Sequence, residues 1–288
     1  MHATLNGQRL WFDVQGERGA PVVLVMGFGI SGRAWAPQVA ALKEHHRTLY
    51  FDNRGVGESE PSRRPYGFTD LADDVVALLD HHGFERAHVV GVSMGGMVTQ
   101  HVALRHPDRV ASIALIATLP GGSLVHALPG ARAVSLFLRA NTLRGARRFA
   151  ALRQLLYTRS YLERAVPEHG FSAGNLEVFA SPAAASTRLH QLRAVLRHDL
   201  TRELGRVRAP TLVIKPEADI LVSPENSERL HRLIPGSRML RLPDAGHGAT
   251  HQCADQINQA LLEHFARAED ARVRADDDVA GGGRPPAT

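Results

Sequence analysis

The feature that most constrains this chain is a repeated alternation of short strand-sized runs with longer helical patterns. Val22 to Met26, Arg47 to Phe51, His88 to Val92 and Ser112 to Ile116 are apolar or β-branched runs, each bounded by turn residues. Runs of that length with little polar alternation fit strands buried on both faces, as inside a parallel sheet. Between them lie helical patterns at Trp35 to Glu44, Phe68 to His82 and Met94 to Arg105, the second opening near Thr69 and Asp70 and closing at Gly83. Strand followed by helix, repeated, predicts an α/β protein with a mainly parallel sheet.

Ahead of the alternation, Leu5 to Val14 partly alternates around the turn signal Asn6-Gly7, which predicts an antiparallel hairpin at a sheet edge. After Pro120-Gly121-Gly122 the pattern stops. Ala131 to Leu200 offers only helical stretches, broken at Pro167, Gly170, Gly174 and Pro182, and reads as a helical insertion. Strand signals return at Thr211 to Ile214 and Arg238 to Leu242, with helices expected over Glu225 to Leu233 and Ala254 to Ala268. The expected organisation is a core in two parts, residues 1–120 and 201–268, with a helical cap or lid inserted at 121–200. Residues 269–288 are charged, then rich in glycine and proline, with almost nothing to bury, and are expected to be a disordered tail.

Composition removes several function classes. The longest apolar candidate, Pro21 to Gly29, falls far short of the roughly 20 residues a membrane helix needs, so no membrane span is expected. Met1 to Asp13 lacks the basic start, apolar middle and cleavage site of a secretory leader, which gives a cytoplasmic reading. Cys253 is the only cysteine, so neither an internal disulfide nor a thiolate metal cluster can form within one chain. The formal charge of +5 rests on arginines spread along the chain, Lys43 and Lys215 being the only lysines. With no recognition motif or lysine-rich tract, no nucleic-acid partner is expected. One local cluster, Arg139, Arg144, Arg147, Arg148 and Arg153, reads as a solvated face, the alternative being a positive field that favours an acidic substrate.

Chemistry enters at Gly91-Val92-Ser93-Met94-Gly95, which follows the strand His88 to Val92 and opens a helical run. A serine placed on a sharp strand-to-helix turn is exposed for attack, and glycines on either side keep bulky neighbours out of the adjoining backbone. A serine hydroxyl is a poor nucleophile at neutral pH and needs a base and a group that orients the base. His247, in the loop after the strand ending at Leu242, can supply the base. It stands out by position among 16 histidines, pairs such as His45-His46 and His81-His82 reading as exposed helix ends. Asp219, just past the strand Thr211 to Ile214, is the preferred orienting acid, with Glu217 and Asp244 as rivals.

The order Ser93, Asp219, His247 and the Gly-x-Ser-x-Gly context resemble the α/β-hydrolase superfamily over about Leu5 to Ala268. That resemblance implies a largely eight-stranded sheet with helices on both faces and the inserted cap over the site. It also implies an oxyanion hole made by the backbone amides of Phe28, in Met26-Gly27-Phe28-Gly29, and of Met94. Two departures stand out: Met26 where many relatives have histidine, and Lys215-Pro216 in the acid loop. Asp52-Asn53-Arg54-Gly55-Val56-Gly57-Glu58-Ser59 is similar to a structural turn of the family, and Trp35 reads as core packing. The expected activity is hydrolysis of a small-molecule carboxylic ester, lactone or thioester through an acyl-enzyme on Ser93, with no metal or organic cofactor, in a monomer or homo-oligomer. An alkyl-halide or epoxide relative would carry aspartate at the elbow. The alternatives are acyl transfer or perhydrolysis by the same triad, and a ligand-binding member of the fold that has lost turnover.

Overall fold

The computed structural model of the chain describes residues 1–122, 130–164 and 183–281, with side chains as far as Arg274. Its strands are β1 (His2–Leu5), β2 (Gln8–Gln15), β3 (Pro21–Val25), β4 (Arg47–Phe51), β5 (Ala87–Val92), β6 (Val110–Ile116), β7 (Thr211–Pro216) and β8 (Arg238–Leu242). They form one eight-stranded sheet in the order β1-β2-β4-β3-β5-β6-β7-β8. The pairings from β4 to β8 across that order are parallel, while β1 and β2 run antiparallel at the edge. Asn6 and Gly7 turn the hairpin with φ of 50° and 70°, the pair of positive values that a tight two-residue β-turn of this hand requires.

Period-two side-chain alternation divides the core into two layers. Val23 and Val25 of β3 join the cluster that includes Leu71 and Leu78 of α2 (Phe68–His81) and Val98 and Val102 of α3 (Met94–Arg105). Val22 and Leu24 face the other way, onto Val39 of α1 (Ala36–Leu42). The expected Trp35 to Glu44 helix is found as α1 at Ala36–Leu42, with proline in its first turn, and a 3-10 turn at Gly32–Trp35, capped by the Ser31 side chain, leads into it.

Between β6 and β7 come α4 (Ala131–Thr142), α5 (Gly145–Leu156), α6 (Arg159–Arg164) and α7 (Ala185–Arg197). The breaks expected at Pro167, Gly170, Gly174 and Pro182 lie outside the described residues. The first two of these helices share a small core of their own, Leu136 and Ala140 against Leu152 and Leu155. The segment leaves and rejoins the core at one place, where Gly121 bridges Asp199 and the Leu200 amide donates to the Pro120 carbonyl at 2.9 Å.

After β7 come α8 (Glu225–Leu233), then α9 (Ala249–Gln252) and α10 (Ala254–Gly281). The last helix corrects the expected disordered tail, since it runs thirteen residues past Ala268. The sequence there has no glycine or proline before Gly281, so no helix breaker stops the chain where its core contacts end. Glu269 Oε1 also lies 3.2 Å from His88 Nε2. Residues 282–288 lie outside the described residues. Among the described residues no helix is long and apolar enough to cross a membrane.

Candidate active site

Ser93 sits between β5 and α3 with φ of 56° and ψ of −123°, a positive φ that a residue with a Cβ adopts only under strain. Its backbone is locked there: its amide donates to Ile116 O at 2.9 Å, and its carbonyl accepts from Thr118 Oγ1 at 2.7 Å. The glycines make the turn possible. A Cβ on Gly91 would collide with the Gly95 carbonyl, and one on Gly95 with the Val25 carbonyl.

His247 follows β8 and Asp219 follows β7, so adjacent strand ends bring them together. A carboxylate only accepts, so His247 Nδ1 carries the proton and donates to Asp219 Oδ2 at 2.7 Å. Asp219 Oδ1 accepts from the Leu221 and Val222 amides at 2.8 Å and 3.0 Å. Both side chains are buried. This tautomer leaves Nε2 with its lone pair free. Ser93 and His247 line one pocket, although the Ser93 hydroxyl makes no hydrogen bond to a described residue. The rival acids are engaged elsewhere: Glu217 with Arg241 at 3.4 Å, and Asp244, at the surface, with Ser160 at 2.7 Å and Arg164 at 2.8 Å.

The loop after β3 presses on the serine, a Cβ at Gly27 falling 3.2 Å from Ser93 Cβ. Among the described residues the amides of Phe28 and Met94 have no hydrogen-bond acceptor, whereas the next amide, Gly29, donates to Gln191 Oε1 at 2.9 Å. Gln191 is fully buried and comes from α7 in the inserted segment. Sequence reading passed over it, because a lone glutamine on an otherwise basic helix gives no local signal.

The Asp52 turn is structural, as its pattern implied. Asp52 accepts from Ser31 Oγ at 2.6 Å, Gly32 N at 2.7 Å and Glu58 N at 2.8 Å. Gly55 gives room to Thr187 of α7, whose hydroxyl would meet any Cβ placed there. Met26 contributes its carbonyl, which accepts from Asn53 Nδ2 at 3.0 Å. Lys215 pairs with Glu228 at 2.8 Å. Trp35 is fully buried in the core beside α1.

Two sequence readings need correcting. His46 is not an exposed helix end: it is buried, with Nδ1 3.1 Å from Ala20 O and its ring edge-on to Phe265. Within the arginine cluster, Arg139, Arg144 and Arg147 are exposed, but Arg148 is buried and lines the pocket that holds Ser93. The remaining pocket wall is largely apolar, with Phe28 and Ile30 on the core side and Phe137, Leu152 and Leu155 from the inserted helices.

A strained serine turn that shares a pocket with an aspartate-held histidine, on a mainly parallel eight-stranded sheet, fits the framework of the α/β hydrolases. Comparison with known proteins agrees, because the family described as alpha/beta hydrolase fold matches residues 20–252, and the chain belongs to that family. Among curated relatives, a dihydrolipoyllysine-residue acetyltransferase component of an acetoin cleaving system from Pseudomonas putida is 33% identical over 90% of this chain and 67% of its own length. A protein from Caulobacter sp. (strain K31) that carries the provisional name carbamate hydrolase RutD is 30% identical over 91% of this chain and 97% of its own. Among solved structures, an enol-lactonase from Burkholderia xenovorans LB400 superposes with a TM-score of 0.79 at 31% identity, covering 92% of this chain and all of that one, 100%.

Proposed function

We propose that the chain is a serine hydrolase that cleaves a carboxylic ester or lactone of a small molecule. The observation that carries this reading is the buried Asp219–His247 pair at 2.7 Å, whose histidine lines the same pocket as Ser93. His247 Nε2 takes the Ser93 proton as Oγ attacks the carbonyl carbon. The negative oxygen of the tetrahedral intermediate is stabilised by the amides of Phe28 and Met94. Collapse releases the alcohol, protonated by His247, and leaves an acyl-enzyme. Water activated by His247 then releases the acid and restores the serine. Asp219 holds the imidazole in the tautomer this cycle needs. Residues 121–200 act as a cap whose inner face selects the substrate.

The test is turnover of a p-nitrophenyl ester panel of short to medium chain length by the parent and by Ser93→Ala, with both checked for folding by circular dichroism. Turnover is expected for the parent alone, with a loss of at least about 10³-fold in the variant; equal rates in the two proteins would remove Ser93 from the mechanism. A second reading, transfer of the acyl group to an alcohol or thiol, is favoured by the apolar wall that the inserted helices give the pocket and by the likeness to an acetyltransferase component. Product analysis with added alcohol or thiol separates it from hydrolysis.

A further inference from the structure

Two arginines from the cap line the largely apolar pocket, Arg148 on α5 and Arg188 on α7. Arg148 is 8% exposed, and its Nε donates to Ala140 O at 2.9 Å. Arg188 Nη1 donates to Ala183 O at 2.7 Å. Each is thus anchored by one carbonyl. Among the described residues neither has a carboxylate partner, and the described pocket wall contains no aspartate or glutamate. Burial, with the positive charge of Arg188 added, disfavours the charged form of Arg148.

Elsewhere the fold treats a buried arginine differently. Arg54 is as deeply placed and is matched by Asp74, whose Oδ1 accepts from Nη2 at 2.7 Å. A buried guanidinium such as Arg148, with no carboxylate partner among the described residues, is costly, and the nearby charge of Arg188 adds to that cost, unless a ligand supplies the negative charge. The planar fork of arginine suits a carboxylate in particular, since it can give two parallel hydrogen bonds.

We propose that Arg148 and Arg188 form a carboxylate subsite, and that the substrate is an ester or lactone bearing a free carboxylate away from the scissile bond. The bond cleaved rests on the serine-hydrolase reading; the subsite does not. Binding of four- to seven-carbon dicarboxylates to Ser93→Ala by calorimetry therefore tests the subsite without turnover. Saturable, salt-sensitive binding is expected, absent for the matching neutral diamides and weakened about 10- to 100-fold by Arg148→Met or Arg188→Gln, the worth of a charge-assisted hydrogen bond. Arg188 is only partly buried, so its variant keeps the test decisive if Arg148→Met fails to fold. In the parent, mono-p-nitrophenyl esters of the same diacids should be preferred in kcat/KM over their amide-capped counterparts, and Arg188→Glu should reverse that preference. Dicarboxylate binding without turnover of any ester removes the serine-hydrolase reading and leaves the subsite standing. Ester turnover with no dicarboxylate binding or preference, or dicarboxylate affinity unchanged in folded arginine variants, overturns the subsite alone.

Discussion

The Asp219 carboxylate has both oxygens committed: two backbone amides hold Oδ1, and the imidazole N–H holds Oδ2. Its burial is tolerated because all of these donors converge on it. Asparagine has the same size but can turn an N–H toward His247, which would favour the tautomer with the proton on Nε2, facing the serine. Asp219→Asn is therefore expected to lower kcat by about 10³- to 10⁴-fold with the thermal midpoint little moved. Steady-state kinetics on a p-nitrophenyl ester, beside a melting curve, checks both parts. A variant that lost its fold together with its activity would point to a structural role for the carboxylate instead.

At the scale of elements, α7 does more than cover the pocket, because it delivers Gln191 to the Gly29 amide, one residue beyond the proposed oxyanion donor Phe28. That contact predicts a positioning role for Gln191. In Gln191→Leu the loop loses that anchor, and kcat should fall about tenfold, the worth of one hydrogen bond, with KM nearly unchanged. Gln191→Glu keeps an acceptor at the same reach and should retain more of kcat. Equal loss in both, or a change confined to KM, would assign the side chain to packing or substrate contact. Much of the sheet was legible from local pattern: α3 begins and ends at Met94 and Arg105 as its periodicity predicts, and the strand ends place Asp219 and His247 side by side. Gln191 and the burial of Arg148 were not legible, since periodicity assigns polar residues to a helix's outer face and says nothing about which surface packs over it. The end of α10 was misread for a related reason: low hydrophobicity argues against burial, not against helix.

For the whole molecule, buried histidines set a pH dependence of stability. Burial pushes His198 down to about 3, with His101 nearby adding to it, and pushes His101 and His264 down to about 4. In the unfolded chain each would titrate near 6.5. Between those values the unfolded chain binds protons that the folded chain refuses, so stability falls as pH drops below about 6.5 and stops falling on this account below the folded values. The melting temperature should therefore decline from pH 7.5 to pH 5. His198→Leu, which also gives up the Nε2 contact with Leu119 O, should melt lower at pH 7.5 yet decline less steeply. Parallel slopes for parent and variant would mean that His198 is not one of the groups responsible.

The meeting of Gly121 with Asp199 places both ends of the inserted segment side by side on the core. If residues 121–200 are the cap proposed above, such a junction would let the whole segment be exchanged as a cassette, because the two splice points need no respacing. The Gln191 anchor limits that freedom. A borrowed cassette with no acceptor facing the Gly29 amide would fit the socket and still leave the loop beneath it unbraced, so transplants between relatives should be chosen for that acceptor before pocket shape.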